Sequence, residues 1–309
     1  MSTLTVTGIQ TTLHWEDKNA NLQMLEEKIN NIKEKTEIVV LPEMFSTGFS
    51  MQPEKLAETI KGETLQWMKR IAAEKKIILT GSIICQATTG LVAPSGLTDV
   101  TNYYNRLIWM LPNGKYGYYD KRHLFAFTGE DKYYTAGTKR MIASVKGWKI
   151  NLLVCYDLRF PVWARQASPS NSPESSSGQA LSKGEGKIVA LEYDVLIYVA
   201  NWPEKRNHAW KTLLQARAIE NQCYVIGVNR VGDDGNGIHY TGNSMVIDPM
   251  GEVLYQKNDE EDIFTVTLDK DHLNTIREKF PFWRDADEFI IAHPNPPQGR
   301  ASRPHKPDS

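Results

Sequence analysis

Three side chains of this sequence are of the types that together perform acyl transfer. Cys155 closes an apolar run in Leu-Leu-Val-Cys-Tyr-Asp-Leu-Arg-Phe-Pro, and the chain turns polar directly after it. Glu43 follows Val-Val-Leu-Pro, and Lys121 follows Tyr-Gly-Tyr-Tyr-Asp. Each stands where a run that reads as a strand ends. Ligands in α/β sheets bind outside the carboxyl ends of strands, so one crevice could hold all three. A thiol is mostly protonated at neutral pH, and a carboxylate within hydrogen-bond reach can take its proton. An ammonium nearby lowers the thiol pKa and can donate to a developing oxyanion. The backbone N–H of Tyr156 would be a second oxyanion donor. Taken singly, each residue has a plainer reading. Cys155 could be core packing, Glu43 a solvated cap and Lys121 a surface lysine. Cys85 and Cys223 sit in or beside apolar runs with no polar cluster following, as core cysteines do. A Cys–His dyad through His123 or His208 is the competing chemistry, and it would make the site papain-like.

The elements that must position these residues can be read from periodicity. Thr3–Ile9 alternates and is β-branched, a strand signature. Asn19–Lys35 carries Leu22, Leu25 and Ile29 at helical spacing. Ile38–Leu41 is a short apolar run, as in a strand covered on both faces. Glu63–Lys75 reads as a helix and Ile77–Ile84 as a strand. Tyr103–Leu111 and Lys115–Asp120 flank Pro-Asn-Gly, a hairpin signal. Ile150–Val154 and Val195–Ala200 are further buried strands, and Asn207–Asn221 is a helix with Trp210, Leu213, Leu214 and Ala218 on one side. Tyr224–Asn229, Ser244–Asp248, Glu252–Gln256 and Ile263–Leu268 read as strands, and Asp271–Lys279 as a helix. Alternating strands and helices interrupted by hairpins predict an α/β layered fold with mixed sheets.

Composition narrows the function class. The chain has 309 residues, with 36 Lys+Arg against 37 Asp+Glu. That balance argues against a nucleic-acid binder built on a basic face. The three cysteines form no Cys-x-x-Cys, and the seven His form no His-x-x-x-His pair, so neither a metal site nor a disulfide framework is expected. The first ten residues lack a signal-peptide pattern, and no run of about 18 apolar residues occurs. The expectation is a soluble protein of a reducing compartment, the cytoplasm. Two segments stand apart. Ser168–Lys187 holds seven Ser, three Gly and two Pro, the composition of a mobile surface insertion. Residues 292–309 hold five Pro and almost no apolar side chains, and are expected to form a loose tail.

The three segments Leu-Pro-Glu43-Met-Phe, Asp-Lys121-Arg-His-Leu-Phe and Val-Cys155-Tyr-Asp-Leu-Arg, in that order, resemble the signatures of the nitrilase, or carbon–nitrogen hydrolase, superfamily. The likeness spans roughly residues 3–289, apart from the Ser-rich insertion. It implies a four-layer αββα sandwich that dimerises, and a single hydrolase domain over residues 1–291. It also implies that Glu43 is the general base, Lys121 stabilises the tetrahedral intermediate and Cys155 is the nucleophile. Glu130, in Thr-Gly-Glu-Asp-Lys-Tyr-Tyr, resembles the family's supporting second glutamate. The run from Asn201 to Gln222 and the ending Arg-Glu-Lys-Phe-Pro-Phe-Trp-Arg-Asp-Ala-Asp resemble the ω-amidase branch most closely. That branch cleaves the terminal amide of 2-oxo dicarboxylic monoamides without a cofactor. Another amidase, an N-carbamoyl amino acid hydrolase and a non-catalytic scaffold member are the alternatives. The segment reads Cys-Tyr-Asp where nitrilases proper typically carry Cys-Trp-Glu. For the substrate carboxylate, the expected partner is Arg159, unless it pairs with Asp157 or Glu220 instead. Phe45, Phe127, Tyr133 and Trp202 are expected to wall a small pocket. The insertion after Gln166 departs from the family pattern beside the expected dimer interface.

Overall fold

The computed structural model describes residues 2–93, 96–166 and 191–287. The Ser-rich segment and the Pro-rich tail singled out above lie outside these residues. In chain order the strands are β1 (Thr3–Gln10), β2 (Ile38–Val40), β3 (Ile78–Ala93), β4 (Gly96–Met110), β5 (Tyr116–Asp120), β6 (Ile142–Val145), β7 (Trp148–Val154), β8 (Val195–Ala200), β9 (Tyr224–Asn229), β10 (Val231–Asp233), β11 (His239–Ile247), β12 (Val253–Asn258) and β13 (Asp262–Asp269). The helices are α1 (Lys18–Asn30), α2 (Pro53–Leu56), α3 (Glu63–Lys75), α4 (Glu130–Tyr133), α5 (Pro161–Ala164), α6 (Asn207–Asn221) and α7 (Lys270–Lys279).

The strands form two mixed sheets. One runs β13-β1-β2-β3-β4-β5, and the other β10-β11-β9-β8-β7-β6 with β12 paired to β11. At the centre of each, three strands are parallel: β1, β2 and β3 in the first, β7, β8 and β9 in the second. Antiparallel strands flank both cores. Strand β5 runs antiparallel to β4, and β4 antiparallel to β3. So β5 ends at the same edge of its sheet as β2. This places the residues after both strands together.

Period-two alternation builds the four layers. In β2, Ile38 and Val40 face the second sheet and join the large core, while Val39 and the following Leu41 face the helices. Leu107 and Trp109 divide from Ile108 and Met110 in the same way on β4. Leu25 and Ile29 of α1 and Leu65, Met68 and Ile71 of α3 cover the outer face of the first sheet. Trp210, Leu214 and Ala218 of α6 cover the second. The result is the αββα sandwich. Among the described residues no helix is long and apolar enough to cross a membrane.

Several elements exceed the sequence reading: α2, α4, α5, β6 and β10 have no counterpart in it, and one hairpin is longer than expected. The β3–β4 hairpin pairs as far as Ala93 with Gly96, well beyond Ile84. The added length carries Gln86, Thr88, Thr101 and Asn102, of which Thr88 and Thr101 are exposed. Backbone pairing carries it past Ile84. Strand β6 was also unforeseen; it turns back into β7 through Lys146 (φ +49°) and Gly147 (φ +79°), the left-handed pair a tight hairpin needs.

Candidate active site

Glu43 leaves the end of β2. Its segment is tied to β3, where the Ser82 hydroxyl oxygen accepts from Met44 N–H (2.9 Å) and the Ser82 carbonyl from Phe45 N–H (3.1 Å). Lys121 follows β5 and donates its backbone N–H to the Asn105 carbonyl (3.0 Å). Glu130 opens α4 and accepts from Phe125 N–H at 2.5 Å. The three side chains meet in the interior. Lys121 Nζ lies 2.9 Å from Glu43 Oε1 and 2.9 Å from Glu130 Oε2. All three residues are buried.

Cys155 comes from the other sheet, directly after β7. Its φ of +45° lies in the left-handed region, a strained conformation for a residue with a side chain. A buried network holds this elbow. The Asp157 carboxylate accepts from Val154 N–H (3.0 Å), Tyr119 O–H (2.7 Å) and His123 N–H (2.9 Å), and His123 Nδ1 lies 2.8 Å away. Trp163 Nε1 donates to the Tyr119 oxygen at 2.9 Å.

Two asparagines complete the cluster, and the sequence reading gave neither a role. Asn105, on β4, donates to Glu43 Oε1 at 2.7 Å and lies 3.4 Å from Glu130 Oε1. Asn201, after β8, donates its backbone N–H to Glu43 Oε2 (2.8 Å) and its side-chain amide to the Glu43 carbonyl (2.6 Å). The Asn201 carbonyl lies 3.9 Å from Cys155 Sγ. The strand-end rule that picked out Glu43 and Cys155 also covers Asn201. Asn105 leaves only a weak trace, a polar residue entering an apolar strand.

The electrostatics follow from burial. Burial pulls the Lys121 ammonium toward neutrality, but the Glu130 and Glu43 carboxylates outweigh it and hold the pKa well above the ordinary lysine range. Burial raises the Glu130 carboxyl, and Lys121 opposes the shift. The Cys155 thiol is pushed well up, first by burial and then by the Glu43 charge, with Lys121 pulling the other way. The sequence reading expected Lys121 to lower the thiol pKa. Lys121 does pull downward, but its charge is shared between two carboxylates and does not prevail. The resting side chain is a thiol beside a carboxylate.

A pocket of about 430 Å³, its open mouth included, reaches Cys155. Asn201 and Tyr156 line it beside the thiol, and Phe49, Phe125, Trp202 and Tyr240 wall it. Arg159 and Arg206 also line it. Of the expected walls, Trp202 is in place, while three others are not. Phe45 is fully buried behind the site, its ring centroid 6.0 Å from that of Trp67 in the helix-facing core. Phe127 is 83% exposed, and its neighbour Phe125 faces the pocket instead. Tyr133 is 48% exposed, while Tyr134 turns inward and donates to the Ser50 carbonyl. Phe49 and Phe125, four and two residues from Phe45 and Phe127, wall the pocket in their stead, because loop and short-helix geometry, which periodicity does not report, set the direction. Arg159 pairs with neither Asp157 nor Glu220. Asp157 is filled by the donors above, and Arg217 takes Glu220 at 3.1 Å. Arg159 lies over the Trp202 ring at 5.2 Å. The Cys–His alternative fails on geometry, since His123 is held by Asp157 and stacked on Phe160 (3.8 Å), and His208 is exposed. Cys85 and Cys223 are buried and free, as expected of core cysteines.

Comparison with known proteins agrees with this architecture. The carbon–nitrogen hydrolase family model matches residues 4–172 and 186–278. The chain is 39% identical over 292 residues to the omega-amidase YafV of Escherichia coli K12, covering 94% of this chain and all of that protein. It is 28% identical over 283 residues to the 2-oxoglutaramate amidase of Bacillus subtilis, covering 91% and 96%. Among solved structures, the XC1258 protein of Xanthomonas campestris, a CN-hydrolase superfamily member, superposes with a TM-score of 0.81 at 38% identity, covering 94% of this chain and all of that one.

Proposed function

The chain belongs to the carbon–nitrogen hydrolase family, and from that premise and the site's geometry we propose that it cleaves the terminal amide of small 2-oxo acid monoamides, 2-oxoglutaramate and 2-oxosuccinamate, to the dicarboxylic acid and ammonia. The observation that carries the reading is the buried Glu43–Lys121–Glu130 cluster set against the strained Cys155 elbow at the pocket. The relatives named omega-amidase and 2-oxoglutaramate amidase support the choice of substrate.

In this mechanism Glu43 takes the Cys155 proton as sulfur attacks the amide carbonyl. Lys121 and the Tyr156 N–H stabilise the oxyanion. The tetrahedral intermediate collapses, the C–N bond breaks, and Glu43 returns the proton to the leaving ammonia. Water deprotonated by Glu43 then attacks the thioester, and the Cys155 sulfur leaves and regains a proton. One amide and one water give one acid and one ammonia, with no cofactor. Glu130 holds Lys121 in place, and Arg159 takes the substrate carboxylate. The raised thiol favours this account, since a resting thiol needs a base in the attacking step. We read residues 1–291 as a single cytoplasmic hydrolase domain that forms a homodimer, as the family resemblance implies.

The test is ammonia release from 2-oxoglutaramate, with glutamine, succinamate and an N-carbamoyl amino acid in parallel, by wild type and Cys155→Ala. Release from 2-oxoglutaramate that the substitution abolishes is the expected result. Release from another of these amides alone keeps the nucleophile and changes the substrate. No release from any of them, with folded protein and reduced thiol, overturns the reading.

A further inference from the structure

The pocket that reaches Cys155 has a chemical asymmetry. Behind Cys155, and not themselves in the lining, lie two carboxylates and one ammonium, Glu43, Glu130 and Lys121. Its lining contains two guanidinium groups, Arg159 and Arg206, and no acidic residue. Neither arginine has a carboxylate partner among the described residues. Each lies over an aromatic ring of the pocket wall instead. Arg159 sits 5.2 Å from the Trp202 ring centroid and Arg206 4.9 Å from that of Phe125. An arginine stacked this way keeps its in-plane N–H groups free for a planar anion. Arg206 is fixed at its root as well, since its backbone carbonyl accepts from Trp202 Nε1 at 2.8 Å. The remaining lining is mostly aromatic and aliphatic, which strengthens a charge-assisted bond made there.

We infer that Arg206 is a second anion anchor that acts with Arg159 and makes this pocket specific for a 2-oxo carboxylate over a 2-amino carboxylate. The inference rests on the hydrolase reading above for the identity of the reacting end. One guanidinium suffices for a lone carboxylate. Two suit a carboxylate with an adjacent carbonyl oxygen, which offers acceptors on one plane and no positive charge. A 2-amino acid would bring its ammonium against two cations with no acid in the lining to receive it. The inner cluster, with two carboxylates to one ammonium, repels an anion. The substrate is therefore oriented, with its neutral amide toward Cys155 and its anionic end toward the arginines.

Binding of 2-oxoglutaramate to the Cys155→Ala protein, measured by calorimetry, tests this apart from turnover. Adding Arg206→Met, which keeps the stem over Phe125, is expected to weaken binding about 10- to 100-fold, with partial recovery in Arg206→Lys. Glutamine is expected to bind at least about tenfold more weakly than 2-oxoglutaramate, and the gap to narrow in Arg206→Met. In the Cys155-intact enzyme, Arg206→Met should cut the kcat/KM ratio of 2-oxoglutaramate over neutral butyramide by a similar factor. A dissociation constant within twofold of the parent, equal binding of glutamine, or no binding of 2-oxoglutaramate to folded Cys155→Ala and Cys155→Ser proteins overturns the inference. Arg206-dependent binding without turnover of any amide by wild type would sink the hydrolase reading and leave the anion site standing.

Discussion

Asp157 and Glu43 are both buried beside Cys155, and their surroundings differ in kind. Asp157 accepts from Val154 N–H, Tyr119 O–H and His123 N–H, with His123 Nδ1 as a fourth neighbour. These donors come from the strand before the elbow and from β5 and the residues just after it, so the carboxylate clamps the nucleophile's backbone to the other sheet. Glu43 is held by Lys121, Asn105 and the Asn201 backbone, and its charge acts on the thiol itself. Burial alone therefore does not mark a catalytic acid. The distinction lies in whether the carboxylate ties down the nucleophile's backbone, as Asp157 does through Val154 N–H, or sets its charge against the thiol, as Glu43 does.

Substitution at the two carboxylates should separate these roles. Glu43→Gln keeps the shape and removes the base, so kcat per folded molecule should fall at least about 10³-fold, as should that of Cys155→Ala. Equal activity in Glu43→Gln would erase the contrast. Asp157→Asn replaces one acceptor oxygen with an amide donor, so the backbone N–H of either Val154 or His123 faces another donor. It should lose about 3–5 kcal/mol of stability by denaturant unfolding, with activity following the folded fraction. A stable, inactive Asp157→Asn protein would give Asp157 a chemical role instead.

Smaller effects sharpen the same contrast. Burial and then the Glu43 charge hold the Cys155 thiol up, so its alkylation by iodoacetamide should keep rising above the ordinary thiol range. In Glu43→Gln the onset should move to lower pH, because the charge opposing the thiolate is gone; peptide-resolved mass spectrometry reads this. A third carboxylate supplies a surface reference. Burial raises Glu261, but Lys28 at 2.8 Å and the Thr11 and Thr12 donors outweigh it and bring the pKa to about 2. The folded value lies below the unfolded one. The stabilisation is thus full above the ordinary glutamate range near 4.3 and is lost as pH falls toward 2. The Glu261 side chain is 46% exposed, so screening limits this to about 1 kcal/mol. Glu261→Gln should cost that much at pH 7 and little at pH 2.5.

The sequence by itself determined the layers and the reactive set. The unbroken apolar runs Ile38–Val40 and Leu107–Met110 called for a sheet covered on both faces, and apolar spacing in Glu63–Lys75 and Asn207–Asn221 supplied the covering helices. Local apolar pattern carries that information because burial acts residue by residue. The strand-end position of Glu43, Lys121 and Cys155 was legible for the same reason. What only the tertiary structure decided is which side chains converge. Lys121 meets Glu43 across a separation of 78 residues, and Asn201 meets it across 158. Asn105 joined the cluster from mid-strand with almost no signal in its own segment. Phe49 and Phe125 replaced Phe45 and Phe127 as pocket walls because loop torsions, not periodicity, aim those rings. The pKa balance at Cys155 was settled in space too, since burial first and the Glu43 charge next raise the thiol, and one ammonium shared by two carboxylates does not offset them.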